Sequence, residues 1–235
     1  MSDATHTELL AGLTCQVWPL TVQPAAGLVL LLHGLGGDER SMAVFRPAFP
    51  SHLLVVSPRA PFAALPSGNS WYAQTRDPAW PALEEFADSN ARIAALVDAL
   101  RERGHPAHPL LIVGFSQGAA AGAAFAFQHR PKLDGLAFLA GFVPPPSGPA
   151  RVDQPLSGLP TFVASGTLDT TVPPEKAMQA IELLNKAGAS LTTCDAPIAH
   201  KVSAQCVRAL RAWAGSLVDN VTKSSGRTRE SLKVI

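Results

Sequence analysis

Short runs that are apolar at every position alternate along this chain with longer stretches whose apolar residues recur every three to four positions. Residues 28–32 (LVLLL) and 110–113 (LLIV) are runs of the first kind, and so is LLVV within the strand expected over 53–57. Side chains alternate across a strand, so an unbroken apolar run predicts a strand covered on both faces. Residues 133–142, 159–165 and 190–194 read as three further strands, and 14–20 (TCQVWPL) as an early one, with Pro19 favouring a sheet edge. The second kind predicts helices. Ile93, Leu96, Val97 and Leu100 mark one face over 89–103, stopped by Gly104; Met178, Ile181 and Leu184 mark another, ending at Gly188. Val202, Cys206, Leu210, Trp213 and Leu217 mark a final helix over about 201–217, and a short helix is expected over about 39–46. The order is strand, then repeated strand–helix units, which predicts one α/β domain over 1–218: a mostly parallel sheet with helices on both faces. Residues 219–235 are polar and lack a period, and are expected to be a mobile tail.

Composition agrees and narrows the function classes. At 235 residues, 47% hydrophobic and 16% charged, the chain suits a large buried sheet. A formal net charge of +1 gives no electrostatic case for nucleic acid or an anionic membrane. No apolar run approaches the roughly 18 residues that a span requires, so no stable membrane insertion is expected. Cys15, Cys194 and Cys206 form no CxxC pair and are expected to be reduced, packed thiols. With no signal-peptide pattern in the opening residues, the expected location is cytoplasmic.

The chemistry centres on 110–127, LLIVGFSQGAAAGAAFAF, which reads as strand, sharp bend and helix with Ser116 at the bend. A bare GxSxG arises by chance in about 8% of chains this long, taking Gly and Ser at about 7% each. The buried strand before it and the small-residue helix after it supply the context in which such a serine is a nucleophile. Gly114 and Gly118 leave room for strand and helix to approach, and the helix N-terminus faces any anion formed at Ser116.

A serine needs a base within hydrogen-bond reach, and the base needs a third group to orient it. On this architecture the chain order is serine, acid, histidine. Asp169 lies in a loop just past a strand, at the sheet edge where the acid belongs; Asp195 also follows a strand and is its rival, whereas Asp134 starts a strand and Asp153 sits in a proline-rich loop. His200 follows the last strand and is the expected base. His105, His108 and His129 are placed remotely, and His33 is expected to brace its own loop. The oxyanion donors are expected to be the backbone N–H groups of Gln117 and of Leu35, the latter in the glycine-rich loop 33–38. Residues 58–82 form a long aperiodic loop whose Phe62, Trp71, Tyr72 and Trp80 either wall a substrate pocket or pack the loop down.

With LLHGLGGDE (31–39), PRAP (58–61), SWY (70–72), GFSQG (114–118), GTLDTTVP (166–173) and the His200 loop in order across most of 14–217, the chain resembles the phospholipase/carboxylesterase family of α/β hydrolases, which includes acyl-protein thioesterases and small bacterial carboxylesterases. The resemblance implies an α/β-hydrolase fold, a Ser116–His200–Asp169 triad, Leu35 and Gln117 amides as the oxyanion hole, an acyl-enzyme, and no metal or organic cofactor. Ala73 and Ala199 depart from the family's usual Asp and Gly at those places. The expected function is a serine carboxylesterase acting on a small-molecule ester or acyl thioester, with no nucleic-acid partner and a homodimer left open. The alternatives are an acyl-protein thioesterase or lysophospholipase for long acyl chains and, more remotely, a non-catalytic binding protein on the same scaffold.

Overall fold

The computed structural model describes residues 5–18, 20, 25–74, 80–106, 108–146 and 154–231, with side chains through 220. Its strands are β1 (His6–Leu10), β2 (Leu13–Trp18), β3 (Gly27–Leu32), β4 (Leu53–Pro58), β5 (Phe62–Ala63), β6 (Asn69–Ser70), β7 (Leu110–Phe115), β8 (Gly135–Leu139), β9 (Pro160–Gly166) and β10 (Ser190–Ala196). The α-helices are α1 (Ala87–Glu102), α2 (Gln117–His129), α3 (Pro174–Lys186) and α4 (Ala204–Ser231). Eight strands form one sheet in the order β1-β2-β4-β3-β7-β8-β9-β10. Within that sheet, among the described residues, only the β1–β2 and β2–β4 pairs are antiparallel. This is the expected α/β-hydrolase architecture.

The apolar runs behave as their pattern requires. Along β3, Leu28, Leu30 and Leu32 enter a core shared with Ile93, Leu96 and Ala120, while Val29 and Leu31 enter a second core with Phe45, Leu210 and Ala214. One face of the sheet is therefore covered by α1, α2 and α3, the other by a 3₁₀ segment at Ala43–Ala48 and by α4. Each fully buried Leu or Val contributes about 1.5–3 kcal/mol relative to exposure. The chain winds outward in opposite directions from β3 and β7, through β4 on one side and β8 on the other. The crevice between their C-terminal ends is the topological switch point, where open α/β sheets bind ligands.

Four features differ from the pattern-based expectation. The strand at 13–18 is not the edge: β1 pairs outside it, and its HTELL sequence buries only Leu10, too little to show as a period. Pro19 itself lies outside the described residues. The helix expected at 39–46 begins later, as the 3₁₀ turn at 43–48, because Asp38 Oδ1 accepts hydrogen bonds from the Arg40 N–H (3.0 Å) and the Ser41 hydroxyl (2.8 Å) and holds a local turn instead. The long loop 58–82 contains a two-residue hairpin, β5–β6. Finally, α4 continues to Ser231, beyond the expected end near 217; its last described core residues are Leu217 and Val218, and helical hydrogen bonding past that point needs no apolar face.

The cysteine expectation is also corrected. Cys194 and Cys206 are disulfide-bonded, with Cα atoms 5.7 Å apart, and only Cys15 is free and buried. Spacing along the chain carries no hint of this, because the pairing depends on α4 starting beside the end of β10. The expectation of three reduced thiols falls with it. Burial pushes the Cys15 thiol up to about 12, so it packs as a neutral apolar group. Among the described residues no helix is long and apolar enough to cross a membrane.

Candidate active site

Ser116 sits between the last residue of β7 and the first of α2 with φ 55° and ψ −119°, a sparsely populated conformation that costs about 1–3 kcal/mol. The bend is held from both sides. Its N–H donates to Leu139 O (2.8 Å), and its carbonyl accepts from Ala119 N–H (3.0 Å) and Ala120 N–H (3.2 Å). The flanking glycines are required by contact: a Cβ at Gly114 would lie 2.1 Å from Gly118 O, and one at Gly118 would lie 2.1 Å from Leu32 O.

Ser116, His200 and Asp169 come together in one hydrogen-bonded line. The Ser116 hydroxyl donates to His200 Nε2 over 2.9 Å, and His200 Nδ1–H donates to Asp169 Oδ2 over 2.6 Å, a tautomer assigned from these partners. Asp169 is buried, and its other oxygen, Oδ1, accepts the N–H groups of Thr171 (2.8 Å) and Val172 (2.9 Å). The Asp169 and His200 loops are zipped by backbone bonds from Thr167 N–H to Ala196 O (2.8 Å) and Leu168 N–H to Ile198 O (3.1 Å). Gly166 permits this approach, since a Cβ there would lie 2.4 Å from Ile198 O and 2.5 Å from Ala199 O. The Phe115 ring lies against the His200 imidazole at 5.0 Å between centroids.

The rivals are placed elsewhere. Asp195 is exposed, and Asp134 lies at the opposite end of the sheet, taking the Leu110 N–H (2.8 Å) and pairing with His108 (2.6 Å). His129 ends α2 stacked on Phe125, and His105 follows α1; Asp153 lies outside the described residues. A cleft of about 710 Å³ at that far end, bordered by Arg130, Asp134 and Trp213, contains none of the Ser116 group.

The N–H groups of Leu35 and Gln117 have no protein acceptor among the described residues, and α2 adds the positive end of its dipole beside Ser116. His33 braces its own loop, which carries the Leu35 N–H, as expected. Its Nδ1–H donates to Gly34 O (2.7 Å) and its Nε2 accepts the Ala60 N–H (3.0 Å), which fixes a neutral ring; burial lowers its pKa below the usual histidine value. Arg59 meets the buried Glu39 carboxylate through both oxygens, at 2.7 and 3.0 Å. The PRAP and HGLGGDE segments therefore hold one another in place.

The four aromatics divide. Trp71 is fully buried and touches no surface, which removes it from any substrate wall. Tyr72 packs on Phe86 (5.3 Å between centroids) and Phe62 is half-buried. Trp80 is exposed, edge-on to Phe142 at 4.5 Å and beneath Lys176. Sequence reasoning missed the Gln117 side chain. Its Oε1 accepts the Trp71 N–H (2.9 Å) and its Nε2 donates to the Ser70 hydroxyl (3.0 Å). The available signal was that all three residues fall inside the matched SWY and GFSQG segments.

Comparisons with known proteins bear on the family and the fold. The profile of the Phospholipase/Carboxylesterase family matches residues 19–214. The chain is 30% identical over 158 residues to acyl-protein thioesterase 1 homolog 2 of Dictyostelium discoideum, covering 61% of this chain and 70% of that one. It is 28% identical over 190 residues to acyl-protein thioesterase 1 of Debaryomyces hansenii, covering 72% and 80%. The Bacillus cereus carboxylesterase structure superposes with a TM-score of 0.75 at 20% identity, covering 87% of this chain and 94% of that one. The Mesorhizobium loti carboxylesterase gives 0.75 at 21%, covering 89% and 98%. At these identities the structural matches speak for the fold, and the family profile covers most of the chain: the chain belongs to the phospholipase/carboxylesterase family of hydrolases.

Proposed function

We propose that the protein is a serine carboxylesterase that cleaves carboxylic esters through an acyl-enzyme on Ser116. The observation that carries this reading is the line Ser116 Oγ–His200 Nε2–Asp169 Oδ2, at 2.9 Å between serine and histidine, beside two N–H groups without protein acceptors among the described residues. His200 takes the hydroxyl proton as Ser116 Oγ attacks the ester carbonyl. Asp169 keeps Nδ1 protonated and stabilises the imidazolium that forms. The oxyanion accepts from the Leu35 and Gln117 amides, donors whose removal elsewhere costs about 10²–10³ in rate. Collapse expels the alcohol with the proton from His200. Water then loses its proton to His200, attacks the acyl-serine, and releases the carboxylic acid and the free Ser116 hydroxyl.

Leu35 and Leu168 are large exposed apolar side chains on the two loops that flank Ser116, which suits the apolar acyl part of an ester. A second reading, a thioesterase for long acyl chains, is favoured by the thioesterase names of the relatives. Hydrolysis of p-nitrophenyl esters from acetate to palmitate, with wild type beside Ser116→Ala, tests both. A peak at short chains that vanishes in the variant is expected. A peak at palmitate moves the assignment to long acyl substrates. Folded wild type that turns over no ester and takes no fluorophosphonate label removes the catalytic reading.

A further inference from the structure

We propose that Trp71 is a positioning residue that couples the two oxyanion donors, Leu35 N–H and Gln117 N–H, into one rigid frame. The inference rests on the catalytic reading above and adds a residue that touches no substrate. The two donors belong to different segments: Leu35 follows β3, and Gln117 opens α2 after β7. Trp71 reaches both. Its indole Nε1–H donates to His33 O over 2.7 Å, and its backbone N–H donates to Gln117 Oε1 over 2.9 Å. Trp71 itself is anchored, because its carbonyl accepts the Ser89 hydroxyl (2.6 Å) and its ring packs against the His33 ring at 5.3 Å.

These bonds fix planes rather than points. The His33 carbonyl held by Trp71 defines the His33–Gly34 peptide. The next peptide, Gly34–Leu35, has its carbonyl held by His33 Nδ1–H (2.7 Å) and by Gly37 N–H (3.0 Å). In a trans peptide the N–H points opposite to the C=O, so holding Gly34 O aims the Leu35 N–H. On the other side, the Gln117 carboxamide is held at both ends, by Trp71 and by the Ser70 hydroxyl, which in turn donates to Tyr72 O (2.7 Å). His33, Ser70, Trp71 and Gln117 are all buried and paired, the condition under which such a network is rigid. A residue that only filled space would not need the indole donor.

The test is Trp71→Phe, which keeps an aromatic ring and deletes the indole donor, beside Gln117→Leu, which deletes the acceptor. Each is expected to lower kcat on a p-nitrophenyl ester about 10- to 100-fold with KM nearly unchanged, and to weaken an alkyl boronic acid by a similar factor, since its tetrahedral adduct uses the same hole. The double variant should lose little more than either single one, because both cut the same link. A lowered Tm with unchanged kcat and boronate affinity would reduce Trp71 to packing, and a rise in KM alone would make it a binding residue; either overturns the proposal. Amide NMR reads the coupling without turnover: Trp71→Phe should shift the Leu35 and Gln117 resonances together, and unchanged resonances would overturn it. Should wild type hydrolyse no ester, the catalytic reading fails while those shifts still decide the coupling.

Discussion

The two sides of Ser116 are built by different means. On the side of the proposed oxyanion donors, the two segments that carry them are joined by a buried, hydrogen-bonded set, His33, Trp71, Ser70 and the Gln117 side chain. On the side of the proposed acid–base pair, Asp169 and His200 ride on adjacent loops closed by backbone bonds, and the Cys194–Cys206 disulfide spans the segment that carries His200. The reason lies in solvent access. The residues of the oxyanion frame are buried, and there polar bonds are strong and unpaired groups costly. The His200 loop is wetter, with Pro197, Ala199 and Lys201 exposed. Hydrogen bonds there compete with water, and a cross-link restrains the loop where they are weak.

Removing the atom shared by both sides should have the largest effect. Ser116→Ala is expected to lower kcat about 10⁴- to 10⁶-fold with Tm unchanged or slightly raised, since Ala fills the same bend; steady-state kinetics and a thermal melt check both. Opening the disulfide with a dithiol, or by a Cys194→Ser and Cys206→Ser pair, isolates the acid–base side. A sequence separation of 12 predicts a loss of about 3 kcal/mol, or roughly a 10 °C fall in Tm, whereas the same dithiol should leave the oxyanion frame's boronate affinity per folded molecule nearly unchanged. Gly166→Ala separates the two loops without touching a polar side chain. With a Cβ 2.4 Å from Ile198 O, a shift that lengthens the His200–Asp169 bond should cost about 100-fold in kcat, read beside an intact fold by circular dichroism.

The smallest effect is on the oxyanion side and depends on pH. Burial depresses the folded pKa of His33 below its usual 6.5, so the unfolded chain takes up a proton first as pH falls. The stability from neutral His33 is therefore fully present above about 6.5 and is lost as pH drops toward the folded value, at no more than about 1.4 kcal/mol per pH unit. Urea unfolding of wild type and His33→Asn at pH 7.5 and pH 5.5 checks this. The variant should be less stable at both, with a smaller difference between the two pH values.

Much of this was legible in the sequence, for reasons that can be named. Continuous apolar runs such as 28–32 specify strands covered on both faces, whatever their neighbours are. The Gly114–Ser116–Gly118 spacing specifies a bend at which only glycine fits on either side, because the constraint is local backbone contact. Chain order put Asp169 and His200 in loops at the sheet edge where Ser116 lies. What the tertiary structure alone decided depends on registers between distant segments. The Cys194–Cys206 bridge requires α4 to begin beside β10, and the edge strand β1 is stabilised by pairing with β2 rather than by its own pattern. The place of Trp71 was hidden for the same reason: an aromatic in an aperiodic loop reads equally as a pocket wall or as packing. Its hydrogen bonds to His33, 38 residues before it, and to Gln117, 46 residues after it, exist only once β3 and β7 lie side by side.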